Sequence, residues 1–148
     1  MAEQKLNHGI DLSADGKTLF VSSTSTVWAY PYDAAAGTVG TRKTLVTGML
    51  SGGHSTRTVL ASKKDPDLLV VSVGSNGNVD ASTSQITYGR SQLRTFSIAK
   101  TSQASVAYTA GTVLGWGLRN SVGVAENPVT GGIVSFPGFA VRVLFCGG

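Results

Sequence analysis

The chain has 148 residues, which is enough for one domain with a hydrophobic core. Only 14% of its residues are charged and 41% are hydrophobic, so an intrinsically disordered chain is excluded and a β-rich fold with a Ser, Thr, Asn and Gly surface is favoured. The net charge of +4 is scattered rather than clustered with aromatic residues, so we predict no nucleic-acid partner.

Cysteine and histidine usage argues against an internal disulfide and against a local metal motif. The single cysteine is Cys146, and the two histidines, His8 and His54, lie far apart in the sequence. The first residues contain no apolar signal-peptide segment, and no apolar run approaches the length of a membrane span. We therefore predict no signal peptide in this chain and no membrane partner.

Short apolar or alternating segments, separated by turn residues, follow one another along the chain in three sets. The first set comprises residues 7–13, 18–22, 26–32 and 39–46. The second comprises residues 56–62, 68–73, 92–98 and 107–114, with a long polar loop from Gly74 to Gly89 inside it. The third begins with residues 121–125 and 133–135. Each complete set predicts one sheet of four antiparallel strands.

The second strand of each set carries the same short motif. The three copies are Leu19-Phe-Val-Ser22, Leu69-Val-Val-Ser72 and Ile133-Val-Ser135. Repeats of about 40–50 residues with four strands each are typical of β-propeller blades, whereas a β-sandwich does not restart its pattern. We predict an all-β fold, a β-propeller fragment of about two four-stranded blades plus the start of a third.

The last residues depart from this repeat. Pro137-Gly138 stands where the second strand of the third blade should continue. We therefore expect a partial propeller over residues 1–135 and an aberrant or disordered tail over residues 136–148. Because a propeller closes with about four to eight blades, we also expect a truncated chain.

Two polar segments at strand entries are the candidate functional residues. One is Gly53-His54-Ser55-Thr56-Arg57 and the other is Gly115-Trp-Gly-Leu-Arg119-Asn120. A guanidinium beside an amide suits a planar, anionic, oxygen-rich ligand, and an imidazole suits a general base. An ordinary loop histidine and a simple Arg-Asn turn are the alternatives that these residue types leave open.

Together with Val71-Ser-Val-Gly-Ser-Asn-Gly-Asn78, these segments resemble the soluble dehydrogenases of sugars that depend on pyrroloquinoline quinone (PQQ). The match is nearest to the fungal pyranose and sorbosone branch and covers roughly residues 5–135. The resemblance implies a six-bladed propeller, with PQQ and calcium near its axis. It also implies a sugar substrate, an external electron acceptor and an extracellular location.

The resemblance also implies residue roles. His54 matches the general base that takes the proton of the sugar hydroxyl while a hydride passes to PQQ. Arg119 and Asn120 match the pair that binds the cofactor, and Arg57 is a weaker candidate for a PQQ carboxylate. His8 could also face the axis. The calcium site is expected beyond this chain, so no metal ligand is assigned within it.

Two other functions remain open. A lactonase-like metal-dependent propeller hydrolase would need convergent carboxylates, for which Asp11, Asp80 and Glu126 are the candidates. A non-catalytic propeller scaffold that binds a protein partner would need none of these residues. The segment from Gly74 to Asp80 resembles a calcium loop only superficially, because it carries a single acidic residue.

Overall fold

The computed structural model describes residues 5–50 and 52–136 and, for the backbone alone, residues 142–144. Within these ranges the chain forms three sheets in sequence order, each built mainly from antiparallel neighbours. Short strands with turn residues between them favour this arrangement, because a tight turn returns the chain antiparallel to the strand that precedes it. None of the described helices has the length and apolar character needed to cross a membrane.

The first sheet contains the strands β1 (Leu6–Leu12), β2 (Thr18–Ser23), β3 (Val27–Asp33), β4 (Thr38–Val39) and β5 (Lys43–Thr47). Its main path runs β1-β2-β3-β5, and β4 pairs with the end of β3. The prediction of one strand over 39–46 was wrong in this detail. Between the β4 and β5 contacts, β3 carries Pro31, which has no N–H to donate to a continuous ladder.

The second sheet has the order β10-β8-β7-β6, with β6 at Val59–Ala61, β7 at Leu68–Val73, β8 at Gln92–Ser97 and β10 at Thr112–Trp116. The fourth strand was predicted at 107–114 and begins later. Before it, β9 (Val106–Ala107) pairs in parallel with β5 of the first sheet, and a 3-10 turn buries Tyr108 in the core. Tertiary packing thus overrides the local strand pattern here.

One short helix, α1 (Ile98–Gln103), interrupts this second sheet and was not predicted. Its start is capped by the Ser97 hydroxyl, which accepts a hydrogen bond from Lys100 N at 3.1 Å. Asp67 adds a second acceptor, 2.7 Å from Ala99 N. A helix of six residues is too short to show helical periodicity, so its capping groups decide its formation.

The third sheet contains β11 (Gly123–Glu126), β12 (Ile133–Phe136) and β13 (Arg142–Leu144). The tail predicted from residue 136 falls mostly outside the described residues, including Pro137-Gly138 and Cys146. Within them, β12 extends to Phe136 and the backbone of 142–144 pairs with β12. The division into a propeller part and a tail stays a prediction.

The repeated motif has the same place in every sheet. In the pairing of first with second strands, Ile10 lies opposite Val21, Val59 opposite Val71, and Ala125 opposite Val134. The repeat read from the sequence is therefore a repeat of strand register, with the motif on the second strand of each blade.

The middle sheet is covered on both faces. Along β7, Leu69, Val71 and Val73 belong to the core shared with the first sheet, and Val70 belongs to the core shared with the third. A strand buried on both sides favours a nearly continuous apolar run, which Leu68–Val73 supplies with Ser72 as its one polar residue. Burying each such side chain contributes roughly 1.5–3 kcal/mol.

The first strands of the three sheets lie side by side, β1 against β6 and β6 against β11. The buried Ser22 hydroxyl joins the first two blades, since it lies 2.7 Å from Arg57 O of the second blade and 2.8 Å from Asn7 O of its own. This row of first strands, with the loops at its entry, is where the candidate residues are placed.

Candidate functional site

His54 and Asn120 occupy equivalent positions in consecutive blades. Val59 pairs with Val71 and Ala125 with Val134, and counting back along each first strand from these pairs leads to His54 and Asn120. The preceding residues correspond as well, because Gly53 and Arg119 both adopt left-handed backbone angles, with φ of 53° and 49°. Two sequence segments that looked unrelated are thus two copies of one blade-entry loop.

The backbone of Ser75 joins these two loops directly. Its carbonyl accepts a hydrogen bond from His54 N at 3.0 Å, and its N–H donates to Arg119 O at 2.7 Å. Ser75 follows β7 and is 3% exposed, so these bonds are protected from water. The end of the central strand of the middle blade therefore sets the separation of His54 and Arg119.

Gly74 lies where the side chains of His54 and Asn120 meet. A Cβ atom on Gly74 would come within 2.7 Å of Asn120 Oδ1 and 2.8 Å of His54 Cβ. Asn120 Oδ1 also accepts a hydrogen bond from the Thr56 hydroxyl at 3.0 Å. Only a glycine allows both side chains to approach this closely, and the Thr56 contact orients the amide.

His54 has a buried ring nitrogen that is not used within the described part of the protein. Its Nε2 is shielded from solvent and has no hydrogen-bond partner there, although the residue as a whole is only partly buried. Buried polar atoms are nearly always paired, and a catalytic role or a bound water or ion is among the explanations of an exception. An imidazole nitrogen in this state can accept a proton from a hydroxyl brought to it.

Arg119 is fixed at its backbone and at its side chain. Its left-handed φ of 49° is uncommon for a residue with a side chain, and its carbonyl accepts from Ser75 N. Its Nη2 donates to Asn78 Oδ1. The residue as a whole is half-buried.

Arg57 is fully buried, with an exposed fraction of 0%. Its guanidinium donates to four backbone carbonyls, those of Thr24 (2.9 Å), His54 (2.9 Å), Thr56 (2.8 Å) and Leu50 (2.6 Å). Burial lowers the pKa of Arg57 to about 10. The structure therefore does not place Arg57 with Arg119 at a ligand-facing surface. We assign it to holding the His54 loop.

The loop between β7 and β8 (residues 74–91, below the β7–β8 loop) is organised by Asp80. The Asp80 carboxylate accepts hydrogen bonds from Asn76 N at 2.6 Å, from Ser82 N at 3.0 Å and from the Ser82 hydroxyl. These bonds, with the Ser82 hydroxyl first, lower the pKa of Asp80. The carboxylate is thus occupied by its own loop, as the polar-loop interpretation predicts.

The three carboxylates considered for a metal-dependent hydrolase do not meet at one place, because Asp80 lies apart from Asp11 and Glu126. Asp11 accepts from Ala61 N at 2.8 Å and Glu126 accepts from Lys63 N at 2.7 Å, so both lie at the end of β6 away from His54. Asp80 belongs to the β7–β8 loop. In the described part of the chain, no three His, Cys, Asp or Glu side chains come together as a metal site.

His8 is exposed on β1 and lines a cavity of about 330 Å³ between the first strands of the blades. Its Nδ1 lies 3.4 Å from the Thr58 hydroxyl, a contact that does not join it to His54 or Asn120. That His8 faces the axis stays a prediction. The sequence interpretation missed the connecting residues Gly74 and Ser75, for which a Gly-Ser step directly after an apolar strand was the available signal.

Comparison with known proteins agrees with this architecture. A family model described as TrAA12-like matches residues 1–138. The PQQ-dependent sugar dehydrogenase of Hypocrea jecorina (strain QM6a) is 45% identical over 139 residues, which is 91% of this chain and 32% of that protein. The PQQ-dependent pyranose dehydrogenase of Coprinopsis cinerea is 43% identical over 127 residues, which is 84% of this chain and 18% of that protein.

Solved structures show the same fold. The calcium structure of the Trichoderma reesei Carbohydrate-Active Enzymes Family AA12 protein has a TM-score of 0.86 at 45% identity, over 91% of this chain and 34% of that one. The holo form of the pyranose dehydrogenase PQQ domain from Coprinopsis cinerea has a TM-score of 0.87 at 42% identity, over 91% of this chain and 33% of that one.

These structures are β-propellers, so the predicted all-β propeller fold is confirmed, and this chain corresponds to part of one. It spans about a third of the length of the Hypocrea relative and less of the Coprinopsis one. The match of the family model, the sequence identity and the shared fold lead to one conclusion. The chain belongs to the TrAA12-like family.

Proposed function

We propose that this chain provides the His-Arg-Asn part of the active site of a PQQ-dependent sugar dehydrogenase, an oxidoreductase. The names of the relatives support the reaction class. The observation that carries the proposal is the juxtaposition of His54 and Asn120 at Gly74, with Arg119 joined to His54 through Ser75. These three residues offer a base, an anion-binding donor and an amide within one group of loops.

The residues fit a quinone cofactor with carboxylate and carbonyl oxygens. The partly exposed guanidinium of Arg119 matches an anionic, planar ligand, and the Asn120 side chain retains its amide N–H donors because Thr56 contacts its oxygen. The buried Nε2 of His54 has a hydrogen-bonding capacity that no described residue fills. When bound, PQQ would supply the acceptor for the hydride.

The roles of the protein groups follow from these placements. If the reacting hydroxyl of a sugar reaches His54 Nε2, this nitrogen would take the hydroxyl proton while the hydride leaves the carbon that bears the hydroxyl. An aldose would thereby become a lactone. The positive charge of Arg119 would stabilise negative charge that develops on the ligand oxygen. Asn120 would orient the cofactor. An external electron acceptor would then take up the two electrons.

The proposal also covers the metal ion, the identity of the sugar and the location of the protein. The calcium structure of the Trichoderma reesei protein supports calcium in the family, and the ligands are expected outside this chain. A pyranose is the favoured sugar, because one relative is named for it. Extracellular placement stays a prediction. The scaffold and hydrolase alternatives find no support from the comparisons, and the position of Asp80 apart from Asp11 and Glu126 argues against the hydrolase.

The test is a titration of PQQ into the purified chain, with and without calcium, followed by turnover of an aldose with an artificial acceptor. We expect Arg119→Leu to weaken PQQ binding by roughly tenfold or more, since hydrogen bonds to charged groups contribute about 1.5–3 kcal/mol. We expect His54→Ala to retain PQQ binding and to lose turnover. His8→Ala is the matched control, because it removes a histidine on β1 outside this group.

The proposal fails if no PQQ binds with calcium present when this chain replaces the segment that it matches in the Coprinopsis cinerea PQQ domain, or if the Arg119 variant binds PQQ as tightly as the parent. The assignment of His54 as the general base fails if His54→Ala and His8→Ala have equal turnover rates.

A further inference from the structure

The β7–β8 loop contains the single Asn-Gly step of the chain, Asn76-Gly77. Asn76 is exposed, and within the described residues its side-chain amide makes no hydrogen bond. The backbone N–H of Gly77 likewise donates to no atom of the described part of the chain. Neither the side-chain amide nor the peptide nitrogen that follows it is therefore held by another group.

Two glycines of the loop before His54 lie directly against this step. A Cβ atom on Gly52 would overlap Asn76 Oδ1. A Cβ atom on Gly53 would overlap Gly77 N and come within 2.6 Å of Asn76 Cα. The side-chain carbonyl of Asn76 and the nitrogen of Gly77 thus lie over the same short segment, and this segment leads into His54.

These two groups can react with one another. The nitrogen of Gly77 attacks Cγ of Asn76, a new N–C bond closes a five-membered imide ring, and the bond from Cγ to Nδ2 breaks with loss of ammonia. Solvent water then opens the ring at either carbonyl, which gives aspartate or isoaspartate. A following glycine favours the attack, because it carries no side chain to obstruct it and its backbone is permissive. Gly77 has a φ of 137° and open space where a Cβ atom would stand.

We propose that Asn76-Gly77 is a site of spontaneous deamidation, and that the modification disturbs the candidate functional site. Either product replaces a neutral amide by a carboxylate directly after Ser75, whose backbone joins His54 to Arg119. Isoaspartate also lengthens the main chain by one carbon where Gly53 packs against it. The close packing leaves no room for this carbon, so the hydrogen bond from His54 N to Ser75 O is displaced.

Asn78 provides an internal control. It is exposed in the same loop, but the next residue is Val79 rather than glycine. The branched side chain of Val79 hinders attack by its own nitrogen. The amide oxygen of Asn78 is also engaged, because it accepts a hydrogen bond from Arg119 Nη2. The structure therefore favours modification at Asn76 over Asn78.

The first test is incubation of the folded chain at mildly alkaline pH, followed by peptide mass spectrometry and enzymatic labelling of isoaspartate. We expect the Asn76 peptide to gain about 1 Da, with Asn78 reacting roughly tenfold more slowly or less. Asn76→Ser should stay unmodified at this position. The inference is overturned if Asn76 stays intact in the folded chain but reacts in the urea-denatured chain, or if Asn78 reacts as fast.

The second test measures the effect on the candidate site without any cofactor. Hydrogen exchange of the His54 N–H is compared in the fresh chain, the isoaspartate form, Asn76→Asp and Asn76→Ser. We expect exchange to be roughly tenfold faster in the isoaspartate form only, because Asn76→Asp adds charge without lengthening the main chain. Unchanged exchange in the isoaspartate form would refute the disturbance. Equal loss of protection at Val71, in the central strand β7, would show general unfolding and would also refute it.

The third test rests on the proposed function for its ligand. PQQ is titrated into the same four proteins, each replacing the segment that it matches in the Coprinopsis cinerea PQQ domain. We expect the isoaspartate form and Asn76→Asp to bind PQQ roughly two- to tenfold more weakly than the other two, because the added carboxylate repels an anionic quinone. Equal affinity of all four would refute an effect on ligand binding. If the fresh parent binds no PQQ, the proposed function fails, and mass spectrometry and hydrogen exchange alone decide on the modification.

Discussion

His54 and Asn120 approach one another across Gly74, whose missing side chain leaves the space that both occupy. A Cβ atom at this position would come within 2.8 Å of His54 Cβ and 2.7 Å of Asn120 Oδ1. Neither atom is the free end of a long side chain, so neither can move aside cheaply. The distance between the two candidate residues is therefore set by a glycine at the end of the central apolar strand.

Gly74→Ala should separate His54 from Asn120 and destabilise the fold by about 1–3 kcal/mol, the usual cost of forcing atoms into a packed site. Urea unfolding gives the change in stability, and PQQ titration shows whether the ligand site is lost with it. Gly123→Ala is the control, because among the described residues a Cβ there would meet only Phe136 Cβ, at an ordinary 3.6 Å. Equal stability of the two variants would contradict the crowding argument.

Arg57→Met should destabilise the protein by about 3–5 kcal/mol, because it leaves several buried carbonyls without donors. Chemical denaturation measures this effect. Arg42→Met is the comparison: Arg42 lies over the Trp28 ring at 5.3 Å, and such an exposed contact contributes about 0.5–1 kcal/mol. If Arg57→Met cost no more than Arg42→Met, the scaffold role of Arg57 would be wrong.

Protonation of the Asp80 carboxylate at acid pH should loosen the β7–β8 loop. Because the folded-state pKa of Asp80 lies below its ordinary value of 3.8, its stabilising effect is present above that pH and is lost as pH falls through the folded pKa. Trp116 can report this, since its Nε1 donates to Thr83 O at 2.9 Å and Thr83 Oγ1 donates to Asp80 O at 2.8 Å. The emission of Trp116, measured in a Trp28→Phe background, should change below about pH 4.

In the same background, Asp80→Asn should show the loosened-loop emission already at neutral pH and no further acid transition. Asp15→Asn should keep the transition of the parent. The pKa of Asp15 is also lowered, first by the Ser13 hydroxyl, but Asp15 lies in the β1–β2 turn. An acid transition of Trp116 that survives unchanged in Asp80→Asn would exclude Asp80 as its origin.

Ser22→Ala should cost more stability than Ser72→Ala, although the two serines occupy the same repeat position. The Ser22 hydroxyl accepts from Gly9 N at 3.1 Å and lies within hydrogen-bond distance of Arg57 O in the next blade, so its loss should cost about 2–3 kcal/mol. Ser72 accepts from Thr58 N at 2.9 Å, and its loss should cost about 1 kcal/mol. Thermal unfolding of both variants compares them, and a reversed order would contradict the role of Ser22 as the link between blades.

Much of the fold followed from local pattern. Each second strand carries its own apolar run, so the motif ending in Ser22, Ser72 or Ser135 was readable without any long-range information. The exceptions have tertiary causes. Helix α1 depends on a cap from Asp67, and the position of β10 depends on Tyr108 entering the core, which no local periodicity reports.

The sequence by itself determined the blade repeat, the strand-entry positions of His54 and Arg119-Asn120, and the family that these motifs resemble. Only the tertiary structure decided which of these residues share a site. Hydrogen bonds through Ser75 and the close approach at Gly74 join His54 to Arg119 and Asn120 over more than 60 residues of sequence, whereas Arg57 turns inward. The physical reason is that the contacts between loops depend on how the blades pack. A guanidinium can bind either a ligand or backbone carbonyls, and the packing around it determines which of the two it contacts.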